Sequence, residues 1–135
     1  MNHLRTLAAV SLLASLVACG PKPTPVTPQP IAAEEQTRIT EGLRGHWKAV
    51  MVKVGDGPKK NDGSDVEITF NPDGTYRHDI GAPFGTLHFN YTYKLDGRNV
   101  VTNSPHGTYR VDELTPKDLA LFNYDASTVW YLSRQ

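Results

Sequence analysis

The chain has 135 residues, a length that suits one domain with its own core. Its 14 Lys and Arg balance 14 Asp and Glu, and without a basic excess the sequence offers no electrostatic footprint for nucleic acid. The single cysteine excludes an internal disulfide and a cluster of thiolate ligands. Stability must therefore come from a packed core.

The first 18 residues have the pattern of a secretory signal peptide. Arg5 supplies a positive charge, and the uncharged stretch that follows, residues 7–17, is too short to span a bilayer as a helix. The stretch ends in Leu16-Val17-Ala18-Cys19-Gly20, which resembles the lipobox of bacterial lipoproteins. An ordinary signal peptide whose cysteine falls at this place by chance is the alternative.

The lipobox resemblance has consequences for processing and localisation. It implies that residues 1–18 are removed and that the Cys19 thiol carries diacylglycerol, often with a further acyl chain such as palmitate on the new amino group. Gly20 follows the cysteine, whereas Asp at this place retains many such lipoproteins in the inner membrane of enteric bacteria. We therefore expect a lipid-anchored envelope protein on the outer membrane, facing the periplasm.

Residues 19–31 are expected to form a tether between the lipid and the domain. Residues 21–30 hold five of the ten prolines, so this segment cannot form a helix or a sheet ladder. It should extend as polyproline II over roughly 30 Å. A proline-rich ligand for an SH3-like partner is the alternative interpretation.

The domain is expected to span residues 32–135 and to begin with a short helix over residues 32–44. Ile39 and Leu43 lie four residues apart on one helix face, and Gly45 can end the helix. Beyond Gly45 the hydrophobic period changes to two, and turn signals recur about every ten residues. About eight short strands follow, so the sequence predicts an all-β fold, a small up-and-down antiparallel β-barrel, with a β-sandwich as the alternative.

Turn chemistry predicts which strand residues face each other. The segment Asn71-Pro72-Asp73-Gly74 fits a type I turn with Gly74 left-handed, which pairs Phe70 with Tyr76 and Ile68 with His78. An Asp96-Gly97 turn would pair Tyr93 with Val100. Matching Ile80 to Leu87 then gives a single apolar face, because a slip of one residue would invert every side chain. That face comprises Val66, Ile68, Phe70, Tyr76, Ile80, Leu87, Phe89, Tyr91, Tyr93 and Val100, and the same register points His78 inward.

The start and end of the strand region resemble lipocalins and related calycins. Gly45-His46-Trp47 opens the first strand like the Gly-x-Trp of that family, and Arg134 near the end of the last strand matches the family's closing arginine. The resemblance implies that Trp47 plugs the closed end of the barrel and that Arg134 stacks across it. With only 90 residues from His46 onward, the barrel is much shorter than a full lipocalin, and its own aromatics could fill it.

The polar residues do not form a recognisable catalytic or metal-binding pattern. Beyond the signal the histidines are His46, His78, His88 and His106, and the predicted register points His78 inward and His88 outward. A metal site needs several such ligands on one face. There is no Gly-x-Ser-x-Gly motif and no free cysteine for a nucleophile. We therefore expect no enzyme, no metal and no cofactor.

Two functions remain for the barrel. The inward aromatics suit either plain core packing or a pocket for a small apolar ligand, with His78 as the best polar handle. The candidate lining residues are Tyr76, His78, Phe89, Tyr91, Tyr93 and Tyr109. At the open end, the Gly-rich loop 55–65 and an exposed Phe84 could instead contact another envelope protein, as in an interaction or assembly module with a filled barrel.

Overall fold

The computed structural model describes residues 30–135. The predicted lipidation residue Cys19 and most of the predicted proline-rich tether lie outside the described residues. Helix α1 spans Ala33–Leu43, and the first strand, β1, spans Gly45–Val54. The remaining strands of the described part are β2 Lys60–Asn61, β3 Val66–Phe70, β4 Thr75–Ala82, β5 Gly85–Asp96, β6 Asn99–Thr102, β7 Thr108–Leu114, β8 Asp118–Asn123 and β9 Thr128–Arg134.

The strands form one antiparallel sheet that closes on itself. From β3 to β9 each strand pairs with its neighbour in sequence, and β1 pairs with β3 on one edge and with β9 on the other. The β1–β9 ladder runs from Trp47 opposite Arg134 to Val54 opposite Thr128, with a bulge between Ala49 and Met51. This closure confirms the eight-stranded barrel and excludes the two-sheet sandwich.

Two of the three predicted registers are confirmed. Phe70 lies opposite Tyr76 and Ile68 opposite His78, as the turn at residues 71–74 requires, and Gly74 has a φ of 83°. The β4–β5 pairing also matches, with Ile80 opposite Leu87. Turn chemistry and alternation were therefore sufficient to fix this part of the barrel.

The predicted register of the β5–β6 hairpin is wrong by two residues. Tyr93 lies opposite Thr102, and Val100 lies opposite Leu95. The two turn residues are Gly97 and Arg98, and Gly97 has a φ of 59°. A type II′ turn places glycine first, whereas the prediction had placed it second. Because the shift is an even number, every side chain keeps its predicted face.

The long segment between β1 and β3 also differs from expectation. It was predicted as a loop over residues 55–65, but it contains the two-residue strand β2, which pairs with the second half of β1. The first half of β1 pairs with β3, so β1 changes its partner along one edge. Helix α1 is within one residue of its predicted bounds at each end.

The core lies at the end of the barrel where β1 begins and β9 ends, which we call the closed end. Ile39 and Leu43 from α1 and Trp47 from β1 are fully buried there, so the helix covers this end as a plug. The opposite, open end carries the β1–β3, β4–β5, β6–β7 and β8–β9 connections. No helix in the described part of the chain is both long and apolar enough to cross a membrane.

Candidate functional site

The closed end is sealed by a contact between the two strands that close the barrel. The Arg134 guanidinium carbon lies 4.2 Å from the centroid of the Trp47 ring, within range of a cation–π contact. Arg134 also donates hydrogen bonds to the carbonyl oxygens of Gly42 and Arg44 at 2.7 Å. Since α1 also lies against this end, a ligand entering the lumen must come from the open end.

The open end presents apolar side chains on its inner face. Leu87 and Phe89 share the inner face of β5 with Tyr91, yet they are 53% and 38% exposed. On β4, opposite Leu87, Ile80 is half-buried and packs against the core. We call Ile80, Leu87, Phe89 and Tyr91 the apolar shelf. Alternation along the strands predicts these residues on the inner face but does not predict that two of them face solvent.

Below the shelf, two polar atoms are buried without a partner. Tyr76 and His78 are 2% and 1% exposed, and neither Tyr76 Oη nor His78 Nε2 has a hydrogen-bond partner. Burial raises the pKa of Tyr76; the Ser104 and Thr102 hydroxyls oppose that rise but do not complete a hydrogen bond to Oη. A buried polar group without a partner costs roughly 1–3 kcal/mol, so these atoms favour an additional polar group at this place.

The β6–β7 loop covers His78 from the open end. The His106 ring centroid lies 5.4 Å from that of His78, and the Trp130 ring lies 5.7 Å away, edge-on. Burial lowers the pKa of His78 to about 4, with repulsion from His106 as a second cause and Asp79 opposing both. His78 is therefore neutral at pH 7 and can either donate or accept one hydrogen bond at Nε2.

The inward positions of the strands in the open half carry no charged side chain. The buried polar residues of the open half are His78, Ser104, Asn123 and Thr128, and Tyr76 lies below them, near the turn at residues 71–74. Asn123 is occupied, because its amide donates to the His106 carbonyl and its oxygen accepts from the Ala126 amide. An ionic group entering this space would have no counter-ion, which costs several kcal/mol.

The predicted lining residues therefore fall into three groups. Tyr76, His78 and Tyr109 are buried, and burial is the main cause that raises the pKa of Tyr109. Tyr91 and Tyr93 are half-buried against the core, and Phe89 is exposed on the shelf. The proposed rim residue Phe84 is fully exposed in the β4–β5 turn.

Sequence reasoning missed a charged cluster on the outer wall. Asp79 follows the inward His78 in β4 and therefore points outward, but it is only 9% exposed. Its carboxylate accepts one hydrogen bond at 2.7 Å from Arg77 Nε on the same strand. It accepts another at 2.7 Å from His88 Nδ1 across the β4–β5 ladder. Burial alone would raise the pKa of Asp79, but these two partners outweigh it and lower the pKa. The match of Ile80 to Leu87 implies that Asp79 lies opposite His88, and this was the signal that could have revealed the cluster.

The described residues hold no cluster of metal ligands, and two cavities lie outside the lumen of the barrel. Residues 30–135 contain no group of three or more His, Cys, Asp or Glu side chains that could hold a metal ion. A cavity of about 520 Å³ lies outside the closed end, between α1 and the β7–β8 turn, and one of about 360 Å³ lies on the outer wall. The lumen between Trp47 and Tyr109 is filled by core side chains.

Comparison with known proteins agrees with this architecture. A lipocalin-like protein from Bacteroides uniformis has a crystal structure with a TM-score of 0.58 and 18% identity, covering 70% of this chain and 99% of that one. The fold is lipocalin-like. An uncharacterised protein from Bacteroides eggerthii gives a TM-score of 0.55 at 20% identity, covering 69% of this chain and 99% of its own. No protein-family model and no curated protein matches the chain.

Proposed function

We propose that this lipocalin-like domain binds a small apolar ligand on the shelf at its open end. The observation that carries the proposal is the exposure of Leu87 and Phe89 on the inner face of β5. Side chains on the inner face of a closed barrel are normally covered, and apolar surface at a concave mouth is the usual character of a ligand site. The filled lumen makes the site shallow.

The polar groups below the shelf indicate the chemical class of the ligand. Tyr76 Oη and His78 Nε2 lack partners, and no charge faces them from the inward strand positions. A ligand with an uncharged hydroxyl, carbonyl or amide group satisfies these atoms once the His106 ring moves aside. A carboxylate or an ammonium group would lose its hydration without gaining a counter-ion.

The proposal is tested with the neutral fluorescent probe N-phenyl-1-naphthylamine. The competitors are compounds that share one alkyl chain length and differ in their polar group. The probe fluorescence should saturate as the probe concentration rises. Phe89→Ser should weaken the affinity for the probe by about tenfold, because about 1.4 kcal/mol of apolar contact is lost. The matched control Val50→Ser removes an exposed apolar residue of β1 beside the Ala49–Met51 bulge, away from the shelf, and should leave the affinity unchanged. Absence of saturable binding would exclude the ligand-binding function.

Competition then separates the ligand classes. At pH 7, 1-decanol should displace the probe at concentrations at least about tenfold lower than those needed for decanoate or decylamine. Burying an unpaired charge costs more free energy than burying a hydroxyl group. Tyr76→Phe removes only the hydroxyl. The affinity for decanol should therefore fall relative to the affinity for the apolar probe. Stronger displacement by decanoate would contradict the neutral-ligand assignment while leaving apolar binding intact.

We further propose that the domain is held at the outer membrane, facing the periplasm, through a lipidated Cys19. The lipobox resemblance supports the anchor. The position of α1 supports a particular arrangement, because the helix packs at the closed end and its Glu35 pairs with Arg98 beside the β5–β6 turn at 2.6 Å. The tether therefore joins the domain at the end opposite the shelf, which leaves the shelf free for ligand exchange.

A second candidate function is contact with another envelope protein through the rim. The full exposure of Phe84 favours it, because an isolated aromatic at a turn tip is a common anchor for a protein pocket. Phe84→Ala should abolish recovery of such a partner in a pull-down without affecting stability. A partner recovered equally well by Phe84→Ala and by variants of the 55–65 loop would count against this function.

A further inference from the structure

Half of strand β5 has a free edge. β5 spans Gly85–Asp96, but β6 pairs only with residues 93–96, through Tyr93 opposite Thr102 to Asp96 opposite Asn99. Residues 85–91 pair with β4 on one side, and no strand among residues 30–135 pairs with their other side. The outer part of the β4–β5 hairpin therefore extends past β6 and presents an exposed ladder of backbone groups.

The direction of these backbone groups follows from two hydrogen bonds. Thr92 O accepts from Asn103 N at 3.3 Å on the β6 side, whereas Tyr93 N donates to Gly74 O at 2.8 Å on the β4 side. Because the backbone groups of successive strand residues point to alternate edges, Thr86, His88 and Asn90 direct their N–H and C=O groups to the free edge. The edge is thus complete and regular over five residues.

This edge lacks the features that normally prevent strand pairing. Residues 85–91 contain no Lys, Arg, Asp, Glu or Pro, although charge or proline is the common protection of an edge strand. The short strand β2, which forms the other exposed edge, is by contrast flanked by Lys59 and Asp62 and contains Lys60. Protection at one edge and none at the other points to the β5 edge as a pairing surface.

We propose that the β5 edge pairs antiparallel with the same edge of a second copy of this chain, about a two-fold axis at His88. The segment is self-complementary in this register. Thr86 exchanges hydrogen bonds with Asn90 of the second copy, and Leu87 lies opposite its Phe89 on the inner face. Such a contact is isologous and closed, and the neutral edge meets no like charge from Lys, Arg, Asp or Glu side chains.

The proposed pairing accounts for the exposure of Leu87 and Phe89 in a single, unpaired chain. Leu87 and Phe89 occupy a non-hydrogen-bonded position of the new ladder, where cross-strand side chains approach most closely. Leu87 and Phe89 of each copy then contact those of the other at the seam, and the two shelves join on one face of a continuous sheet. The pairing stands whether or not the shelf binds a ligand.

The register is tested by oxidative crosslinking of the full chain in its own membrane fraction. A His88→Cys variant places the two thiols at the axis, where opposing Cα atoms of a hydrogen-bonded pair lie about 5.5 Å apart, within disulfide range. The matched control is Thr92→Cys, which lies on the same face of β5 and is also exposed, but is four residues from the axis. We expect a dimer of twice the chain mass for His88→Cys only.

A second substitution distinguishes strand pairing from random collision. Leu87→Lys in the His88→Cys background places like charges beside the axis and should reduce crosslinking by about tenfold or more. Val54→Lys, which also replaces an exposed apolar residue, should leave it unchanged. Equal crosslinking of His88→Cys and Thr92→Cys, or a crosslinked product containing a different protein, would overturn the proposal.

Discussion

Arg134 stacks over Trp47 with its guanidinium carbon 4.2 Å from the ring centroid, and both side chains bind carbonyl oxygens near the end of α1. Trp47 Nε1 donates to Leu43 O at 2.8 Å, and Arg134 donates to Gly42 O and Arg44 O. The last carbonyls of a helix lack partners within the helix and carry partial negative charge. The pair therefore joins the closing strands to the helix that covers them.

Truncating these two residues should reveal this coupling in the free energy of unfolding. Trp47 is completely buried, so Trp47→Ala should destabilise the domain by roughly 3–5 kcal/mol. Arg134→Ala should cost less, about 1–3 kcal/mol, through the lost carbonyl hydrogen bonds and the cation–π contact. The double variant should lose less unfolding free energy than the sum of the two single losses, by at least about 0.5 kcal/mol. Urea unfolding followed by circular dichroism measures this difference. Strict additivity would show that the contact carries no stability.

Gly45 should tolerate no side chain, because two independent constraints act on it. Its φ is 123°, a conformation that other residues adopt only under strain, and a Cβ there would collide with Arg134 Nη1. Gly45→Ala should therefore destabilise the domain by about 1–3 kcal/mol in the same unfolding experiment. Gly63→Ala is the matched control, since a Cβ at that position meets no atom within 4 Å. Equal stability of the two variants would contradict the role of Gly45.

The parts of the fold that sequence reasoning reached are those fixed by local chemistry. Gly74 demands one turn conformation, and the apolar alternation on β3 and β4 allows only one register around it. The Gly97 turn shows where this fails, since glycine suits either central position and both registers keep the same residues inward. Only the packing of the complete barrel decides between them.

The candidate site was less predictable, because it depends on where strands end rather than on which face they present. Alternation placed Phe89 inward but carried no information on whether β6 extends far enough to cover it. The contact between His78 and His106 joins a strand to a loop that has no periodicity, so sequence spacing could not reveal it. Both the shelf and the free edge follow from the short length of β6.

His78 should make the stability of the domain sensitive to mild acid. Its pKa is about 4 in the folded chain, lowered first by burial and then by His106, against 6.5 for the unfolded chain. Between these pH values the unfolded chain binds more protons, so the free energy of unfolding falls as the pH decreases from 6.5 to 4. The unfolding free energy lost between pH 6.5 and 4 through His78 is at most about 3 kcal/mol, and His78→Phe should remove this loss.

The exposed His88 supplies the control for this titration. His88→Gln removes a histidine from the outer wall, where the ring is half-exposed, and should leave the loss of stability between pH 6.5 and 4 in place. Urea unfolding at half-unit pH steps measures both variants against the parent chain. An unchanged pH dependence in His78→Phe would show that the buried imidazole is not the titrating group.

The proposed lipid anchor is tested at Cys19, which precedes the domain. One acyl chain gives only marginal membrane binding, whereas two or more hold a protein stably, so a diacylglycerol-modified chain should partition almost wholly with membranes. Cys19→Ser should abolish the incorporation of labelled palmitate and block lipoprotein-type processing, and the domain itself should be unaffected because it begins thirteen residues later. Ala18→Gly, which keeps a small residue beside the cysteine, should still be labelled. A parent chain that takes up no labelled palmitate and fractionates away from membranes would show that Cys19 is unmodified and that residues 1–18 form an ordinary signal peptide.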